Sequence, residues 1–454
     1  MTKRPVLMSD PDRAAVSSAE VQDLVAIRRH TTEAAETWKD PGWKRKVYDY
    51  VRQGRSGAGL APFAIVDDDR GQPVFVGDQE LLLLAGNLDE RAKRLVEAVG
   101  LHVEPLDCLR DRVVRLVKPG ATGPELAELA ARLRRDGVPA SATYVPPMSI
   151  VMKSRGGAEP AHRRWDDYRP PARPGRVRVS IVDTGVTDQP RTDGWLDGLE
   201  VHGIDQLDLN PNNGKLDMAA GHGTAVMGIV RHAAPEATIA VHRAAPPDGS
   251  ALETEVACGM VEAVEAGFAA GQAVVLNLSL GTTTVDGQSP LALQAALDLI
   301  EEMAAESPDR DVLVVAAAGN FGDTRPVWPA ASPGVIAVGA LGQDLMPTDW
   351  SSRGPWVDCS MLGDGVLSVY VQGEEDPVYD RAADSFPADS WALHFGTSFA
   401  APQIAGAVAR IAQDEGVSLR DALTRLLTGA RRIPDFGRVP DPGAVRGLQA
   451  PIGS

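Results

Sequence analysis

Val177-Arg178-Val179-Ser180-Ile181-Val182-Asp183-Thr184-Gly185 is the stretch that decides the fold. A short, nearly continuous apolar run that stops at Asp-Thr-Gly reads as a buried strand entering a tight turn. The pattern then alternates. Val256, Met260, Val261, Val264 and Phe268 make a helical stripe, and Val274 to Leu278 reads as a second buried strand. A helix through Leu293, Leu297, Ile300 and Ala304 leads to the strand Val312 to Ala316, and Val335 to Val338 is another strand. Such strands, separated by helices, predict an α/β fold with a doubly wound, mostly parallel sheet and helices on both of its faces. In these sheets the chemistry gathers where strands end and helices begin.

Moving outward, Lys153 to Pro174 reads KSRGGAEPAHRRWDDYRPPARP, which has no apolar period and is expected to be a surface linker. It divides an N-terminal region, 1–152, from a C-terminal domain, 175–454. Within the first region Ala92, Leu95, Val96 and Val99 space as a helix closed by Gly100. Leu126, Leu129, Ala130 and Leu133 space as another, with Thr122 near its N-cap and Pro124 in its first turn. Val113 to Val117 and Ala142 to Val145 read as strands, so the unit is a smaller α+β one. Residues 1–60 show no pattern that fixes a fold, and Lys44, Arg45 and Lys46 are their densest positive charge.

The chain has 454 residues, 44% of them apolar, which is enough for two domains. No apolar run approaches the ~20 residues of a membrane span, and no apolar stretch follows Lys3 and Arg4, so the expected compartment is the cytoplasm. Cys108, Cys258 and Cys359 lie far apart and are expected as reduced thiols, Cys258 as a small buried hydrophobe. A net charge of −17 argues against nucleic acid as partner. The charge is uneven, with 27 basic against 25 acidic residues over 1–170, which leaves a net −19 for the remainder. That excess favours basic peptides as ligands, with Asp323 a local contributor; a purely solubilising charge is the plainer account.

Four segments stand at strand and helix ends: Asp183-Thr184-Gly185, Gly221-His222-Gly223-Thr224, Ala317-Ala318-Gly319-Asn320, and Gly396-Thr397-Ser398-Phe399-Ala400-Ala401-Pro402. Asp-Thr-Gly also marks aspartic proteases, but that chemistry needs a second such carboxylate and the chain has none. Acyl transfer needs a hydroxyl, an imidazole to take its proton and a carboxylate to orient the imidazole. Ser398, His222 and Asp183 supply those types. Asn320 and the Ser398 backbone N–H, at a helix N-terminus, offer donors for an oxyanion.

In this chain order the segments resemble the subtilase family of serine peptidases. The resemblance extends to Asn277-Leu278-Ser279-Leu280-Gly281, to Val335-Ile336-Ala337-Val338-Gly339-Ala340 and to Trp350-Ser351-Ser352-Arg353-Gly354-Pro355. It implies a subtilisin-like domain that hydrolyses peptide bonds through an acyl-enzyme on Ser398. Ser279, Leu280 and Gly281 would pair with an extended peptide, and Ala316, Ala317, Ala318 and Gly319 would wall the pocket for the side chain before the cut. The departures are Ala225, Phe399 and Gln403, where many members carry histidine, methionine and histidine. Phe321 to Trp328 is short, which leaves the pocket depth open. His394 is a rival base, and a catalytically silent binding scaffold is the alternative function.

No cofactor is required on this reading. Asp208, Asn210, Asn212 and Asp217 are candidate calcium ligands, but Gly214 sits one place late for an EF-hand loop and no glutamate closes it, so a polar turn is preferred. The resemblance also implies that residues 108–152 act as a folding aid and restraint on the peptidase, with a recruiting module as the competing role.

Overall fold

The computed structural model describes residues 17–38, 41–68, 70–147, 158–171, 175–210, 212–378, 383–443 and 445–453. Two helices, α1 (Ser18–Trp38) and α2 (Pro41–Gly57), precede an antiparallel sheet of β1 (Phe63–Asp67), β2 (Pro73–Leu84), β3 (His102–Pro105), β4 (Val113–Val117) and β5 (Ser141–Tyr144). Helix α3 (Glu90–Ala98) joins β2 to β3, and α4 (Gly123–Arg135) joins β4 to β5. The Thr122 N–H donates to Glu125 at 2.9 Å and Pro124 stands in the first turn, so α4 starts where its sequence signals. The α+β character and both helices of the sequence reading are present, and β1 pairing with β2 adds a hairpin it did not contain.

The second half continues through β6 (Ala158–Pro160), β7 (Val177–Asp183), β8 (Glu200–His202), α5 (His222–Ala233), β9 (Thr238–Arg243), α6 (Glu253–Ala269), β10 (Ala273–Leu278), α7 (Leu291–Ala305), β11 (Val312–Ala317), β12 (Val335–Leu341) and β13 (Cys359–Leu362). Then come β14 (Asp364–Val369), the ribbon of β15 (Gly373–Glu374) and β16 (Ser385–Phe386), β17 (Trp391–Phe395), α8 (Thr397–Glu415), α9 (Leu419–Leu427), β18 (Arg431–Ile433) and β19 (Gly437–Val439). Nine strands form one sheet in the order β18-β19-β13-β12-β11-β10-β7-β9-β8, parallel throughout except at β18–β19. Val179 and Ile181 of β7 face a core shared with α5 and α8, whereas Val182 faces one shared with α6 and α7. Burial on both faces is why these strands read as nearly continuous apolar runs. Residues 397–409 of α8 are all buried.

Two expectations need correction. Residues 158–171 are not a loose linker. β6 pairs with β17, the Trp165 ring stacks on His232 at 3.8 Å, the Tyr168 hydroxyl donates to Pro235 O, and Arg163 pairs with Asp23 at 2.6 Å. The anchors are aromatic and charged groups whose partners are remote, so no local period betrays them; Lys153, Arg155 and 172–174 lie outside the described residues. The cysteines are not all free thiols either. Cys108, just before β4, is bonded to Cys258 of α6 with their Cα atoms 5.3 Å apart, and only Cys359 is a buried free thiol. A separation of 150 residues carries no sequence signal of pairing.

The N-terminal region is built into the second half. Ile27 of α1 lies in the core shared by α5 and α8, and the His30 ring stacks on Phe395 at 3.6 Å while Nδ1 meets Glu159 at 3.1 Å. Val47, Val51, Phe63, Phe75 and Val145 share a cluster with Met218 and Leu252. Beside it Arg55, 2% exposed, donates to both oxygens of Asp248, 0% exposed, at 2.8 and 2.7 Å. A charge buried with one counter-ion is costly to leave alone. Arg55→Ala is therefore expected to lower stability by about 3–5 kcal/mol, measured by denaturant unfolding, whereas removing the exposed Lys93–Glu90 pair should change it little.

Candidate active site

Asp183 is the last residue of β7 and His222 the first of α5, so the sheet and the helix each deliver one group to the same end of the fold. Both are buried, and His222 Nδ1 lies 2.7 Å from Asp183 Oδ1. Gly223 makes that approach feasible, since a Cβ there would stand 2.2 Å from Gly185 O and 3.2 Å from Asp183 Oδ1. His222 Nε2 makes no hydrogen bond among the described residues.

A residue that the sequence reading did not single out joins the two elements. Asp205 is fully enclosed, and one of its oxygens accepts from the Thr184 hydroxyl at 2.9 Å and from the Gly221 N–H at 2.8 Å. Its other oxygen accepts from Leu207 N, while Thr184 Oγ1 itself accepts from Gly223 N at 3.1 Å. Burial pushes the Asp205 carboxyl up to about 7 against these three donors. A lone aspartate in Gly203-Ile204-Asp205-Gln206 looks like any turn residue, and only the neighbours of Asp183 and His222 reveal it.

Ser398 stands in the first turn of α8, and the ring of the next residue, Phe399, is 5.1 Å from that of His222. The Ser398 hydroxyl donates to Ser279 O, and the Ser279 hydroxyl donates to Ser398 O, both at 2.8 Å. Asn320 follows β11. Its Oδ1 accepts from Thr397 N and from Thr397 Oγ1, each at 2.9 Å, and Thr397 Oγ1 accepts from Gly319 N. Because a backbone N–H can only donate, the oxygen of the Asn320 amide faces Thr397, which leaves the N–H2 on the other side as a donor.

Ser279, Leu280 and Gly281 are all buried. The Gly281 N–H reaches Pro147 O at 3.4 Å, and Pro147 forms an antiparallel bridge with Ser250. The end of the N-terminal unit thus lies extended between the segments around Ser250 and Gly281. Of the expected pocket wall, Ala316 and Ala317 are turned into the cores on opposite faces of the sheet, and Ala318 is also buried. Gly319 has φ +92°, and Val327 fills the space between it and Gly281: its Cγ1 stands 2.7 Å from where a Cβ of Gly281 would be and 3.0 Å from one on Gly319. Val327 was missed because it belongs to the short Phe321 to Trp328 stretch, whose path sequence leaves open.

His394 is enclosed, stacked on Phe399, and held far into its neutral form, near 3, first by burial and then by the charge of His222. The imidazole that meets a carboxylate here is His222. Asp323 is paired with Arg325 at 2.8 Å, and Arg325 also binds Asp68 of the N-terminal unit at 3.0 Å. In the loop read as a candidate calcium site, Asp208 accepts from Asn213 N and Gly214 N, Asp217 from Leu209 N and Asn210 N, and Asn210 donates to Val51 O and Asp248. Both Asp208 oxygens and Asp217 Oδ2 thus bind N–H groups of the turn, and no cluster of three or more His, Cys, Asp or Glu side chains fit for a metal occurs among the described residues.

The profile of the subtilase family matches residues 175–428. Thermitase of Thermoactinomyces vulgaris is 31% identical over 286 residues, which span 60% of this chain and 88% of thermitase. Subtilisin BL of Lederbergia lenta is 28% identical over 285 residues, 60% of this chain and 91% of its own. A solved lanthipeptide protease aligns with 60% of this chain and 85% of its own at 23% identity and a TM-score of 0.45.

The hydrogen bonds of Asp205 give it a positioning role. Asparagine in its place turns an N–H2 toward one of three donors. Asp205→Asn is expected to slow the reaction of Ser398 with a fluorophosphonate about 10- to 100-fold, the cost of displacing a reacting group by a fraction of its diameter. Far-ultraviolet circular dichroism should stay unchanged.

Proposed function

The chain belongs to the subtilase family of serine peptidases, and we propose that it is an endopeptidase working through Asp183, His222 and Ser398, with the N-terminal α+β unit, as far as Pro147, covering its groove. Ser398 attacks the scissile carbonyl, His222 Nε2 takes its proton and returns it to the leaving amine, and Asp183 fixes the tautomer and steadies the imidazolium. Asn320 Nδ2 and the Ser398 N–H hold the oxyanion, aided by the positive end of α8. The observation that carries this reading is the 2.7 Å contact of Asp183 with His222 Nδ1, because it leaves Nε2 unspent beside the α8 terminus. Proton transfer on this reading requires the Ser398 hydroxyl to turn from Ser279 O to His222 Nε2.

Substrates are peptides or proteins bound as an extra strand along Ser279 to Gly281. Pro147 is the support for a covered resting state, since its carbonyl already holds the Gly281 N–H that a substrate would need. The mutual neutralisation of Asp323 and Arg325 weakens the case for a strong preference for basic side chains at that spot.

Ser398→Ala is expected to abolish peptide hydrolysis without unfolding, and the active chain, unlike this variant, should acquire a cut within residues 148–157 on incubation, read by mass spectrometry. Turnover by the alanine form would overturn the assignment. Asn320→Ala should lower kcat by roughly 10²- to 10³-fold with KM little changed, the effect of losing one oxyanion donor.

Val327 sets pocket depth on this reading. Val327→Gly should raise kcat/KM for peptides with a large apolar side chain before the cut relative to alanine, by about 10-fold or more. Equal profiles for the two forms would place the pocket elsewhere.

A further inference from the structure

Many non-covalent contacts hold the N-terminal unit on the second half, among them the shared cluster around Met218 and Leu252, the Arg55–Asp248, Arg325–Asp68 and Arg110–Glu265 pairs, the Gly281 N–H on Pro147 O, and Glu253 of α6, which accepts from Tyr144 N at 2.8 Å with one oxygen and from Ala292 N at 2.8 Å with the other. All of these open and close reversibly. One further link does not. Cys108 and Cys258 join this unit covalently to α6, at a place where Leu109 and Val113 pack against Val261 and Met303 in one core. Both cysteines are half-buried rather than enclosed, in contrast to Cys359.

We propose that the Cys108–Cys258 bond is a thiol–disulfide exchange site for a dithiol reductant and acts as a latch that keeps the N-terminal unit on the groove until it is reduced. The inference rests on the reading that this unit covers the groove. A thiolate of the dithiol attacks one sulfur and forms a mixed disulfide, and the other cysteine leaves as a thiolate that takes up a proton. The second thiol of the reductant then closes its own disulfide and frees the remaining cysteine. The protein gains two electrons and two protons, and the dithiol is oxidised.

A tether acts through effective concentration. While it is closed, each time the ion pairs and the strand contact break, the unit is held at roughly millimolar local concentration and returns. Once the chain between the halves is cut and the disulfide reduced, only the reversible contacts remain, together with the separate docking of α1 on the strand that leads to Ser398. The latch thus makes a cut in the chain insufficient for uncovering.

The test uses the full chain with Ser398→Ala and a recognition sequence for a separate, sequence-specific protease placed between Pro147 and Ala158. After nicking, hydrogen exchange is followed at residues 279–281 with and without dithiothreitol, and alkylation counts the thiols. Reduction should add two alkylated cysteines and speed exchange at these amides about 10- to 100-fold. The nicked Cys108→Ser, Cys258→Ser chain should show fast exchange without dithiol. Full reduction with unchanged exchange, or fast exchange in the nicked but oxidised chain, would overturn the latch. Running the same nicking on the chain with Ser398 intact separates the two readings. Faster exchange without faster fluorophosphonate labelling of Ser398 supports the latch and counts against the peptidase reading alone.

Discussion

Helix α8 has no wet face over its first thirteen residues, and most of the second half is arranged to satisfy that constraint. A helix buried all round must be apolar and narrow, which its run of alanines and Gly406 provide, and it must have sheet and helices on every side. Gly406 faces Ala233 of α5 so closely that a Cβ would stand 2.5 Å from the alanine methyl. The same burial leaves the N-terminal N–H groups of α8 pointing at one small region, where Asn320, Ser279 and His222 meet it. Site and core are therefore one construction: the helix that fills the interior also aims the serine.

The N-terminal region enters this construction on two sides. Its α+β unit shares a core with α6 and α7 through Leu82, Leu109 and Val113, while α1 reaches the core of α5 and α8 with Ile27 and lays His30 on Phe395, three residues before Ser398. Glu253 shows how closely the parts are fitted. Burial raises its carboxyl to about 8 even though both oxygens accept backbone N–H bonds, one from each half of the chain.

What the sequence makes legible follows from range. β7, β10, β11 and β12 announce themselves because strands buried on both faces are apolar at nearly every position, Arg178, Ser180 and Asn277 being buried polar exceptions, and Asp183, His222, Asn320 and Ser398 because each sits at a strand or helix end in a recognisable local setting. The groups it hides act across distance. Asp205 is ordinary until Thr184 and Gly221 are seen to donate to it. Cys108 and Cys258 are isolated in sequence, and Trp165 lies in a Pro- and Arg-rich stretch whose stacking partner, His232, is on α5. The β1–β2 hairpin escaped for a different reason: β2 is kinked at Gln79, φ +70°, so Leu81 to Leu84 reads as a separate apolar run.

The pairing of β6 with β17 also bears on the order of events in synthesis. Pro160 and Ala392 are partners although about 230 residues separate them, and contacts of such span close last because loop closure must precede any gain from them. A nascent chain that has emerged through α5 already carries Asp183 and His222 but has neither the strand that seats α1 nor the helix that bears Ser398. The helix that bears Ser398 thus arrives only in the final fifth of the chain, after the N-terminal unit has had most of translation in which to fold.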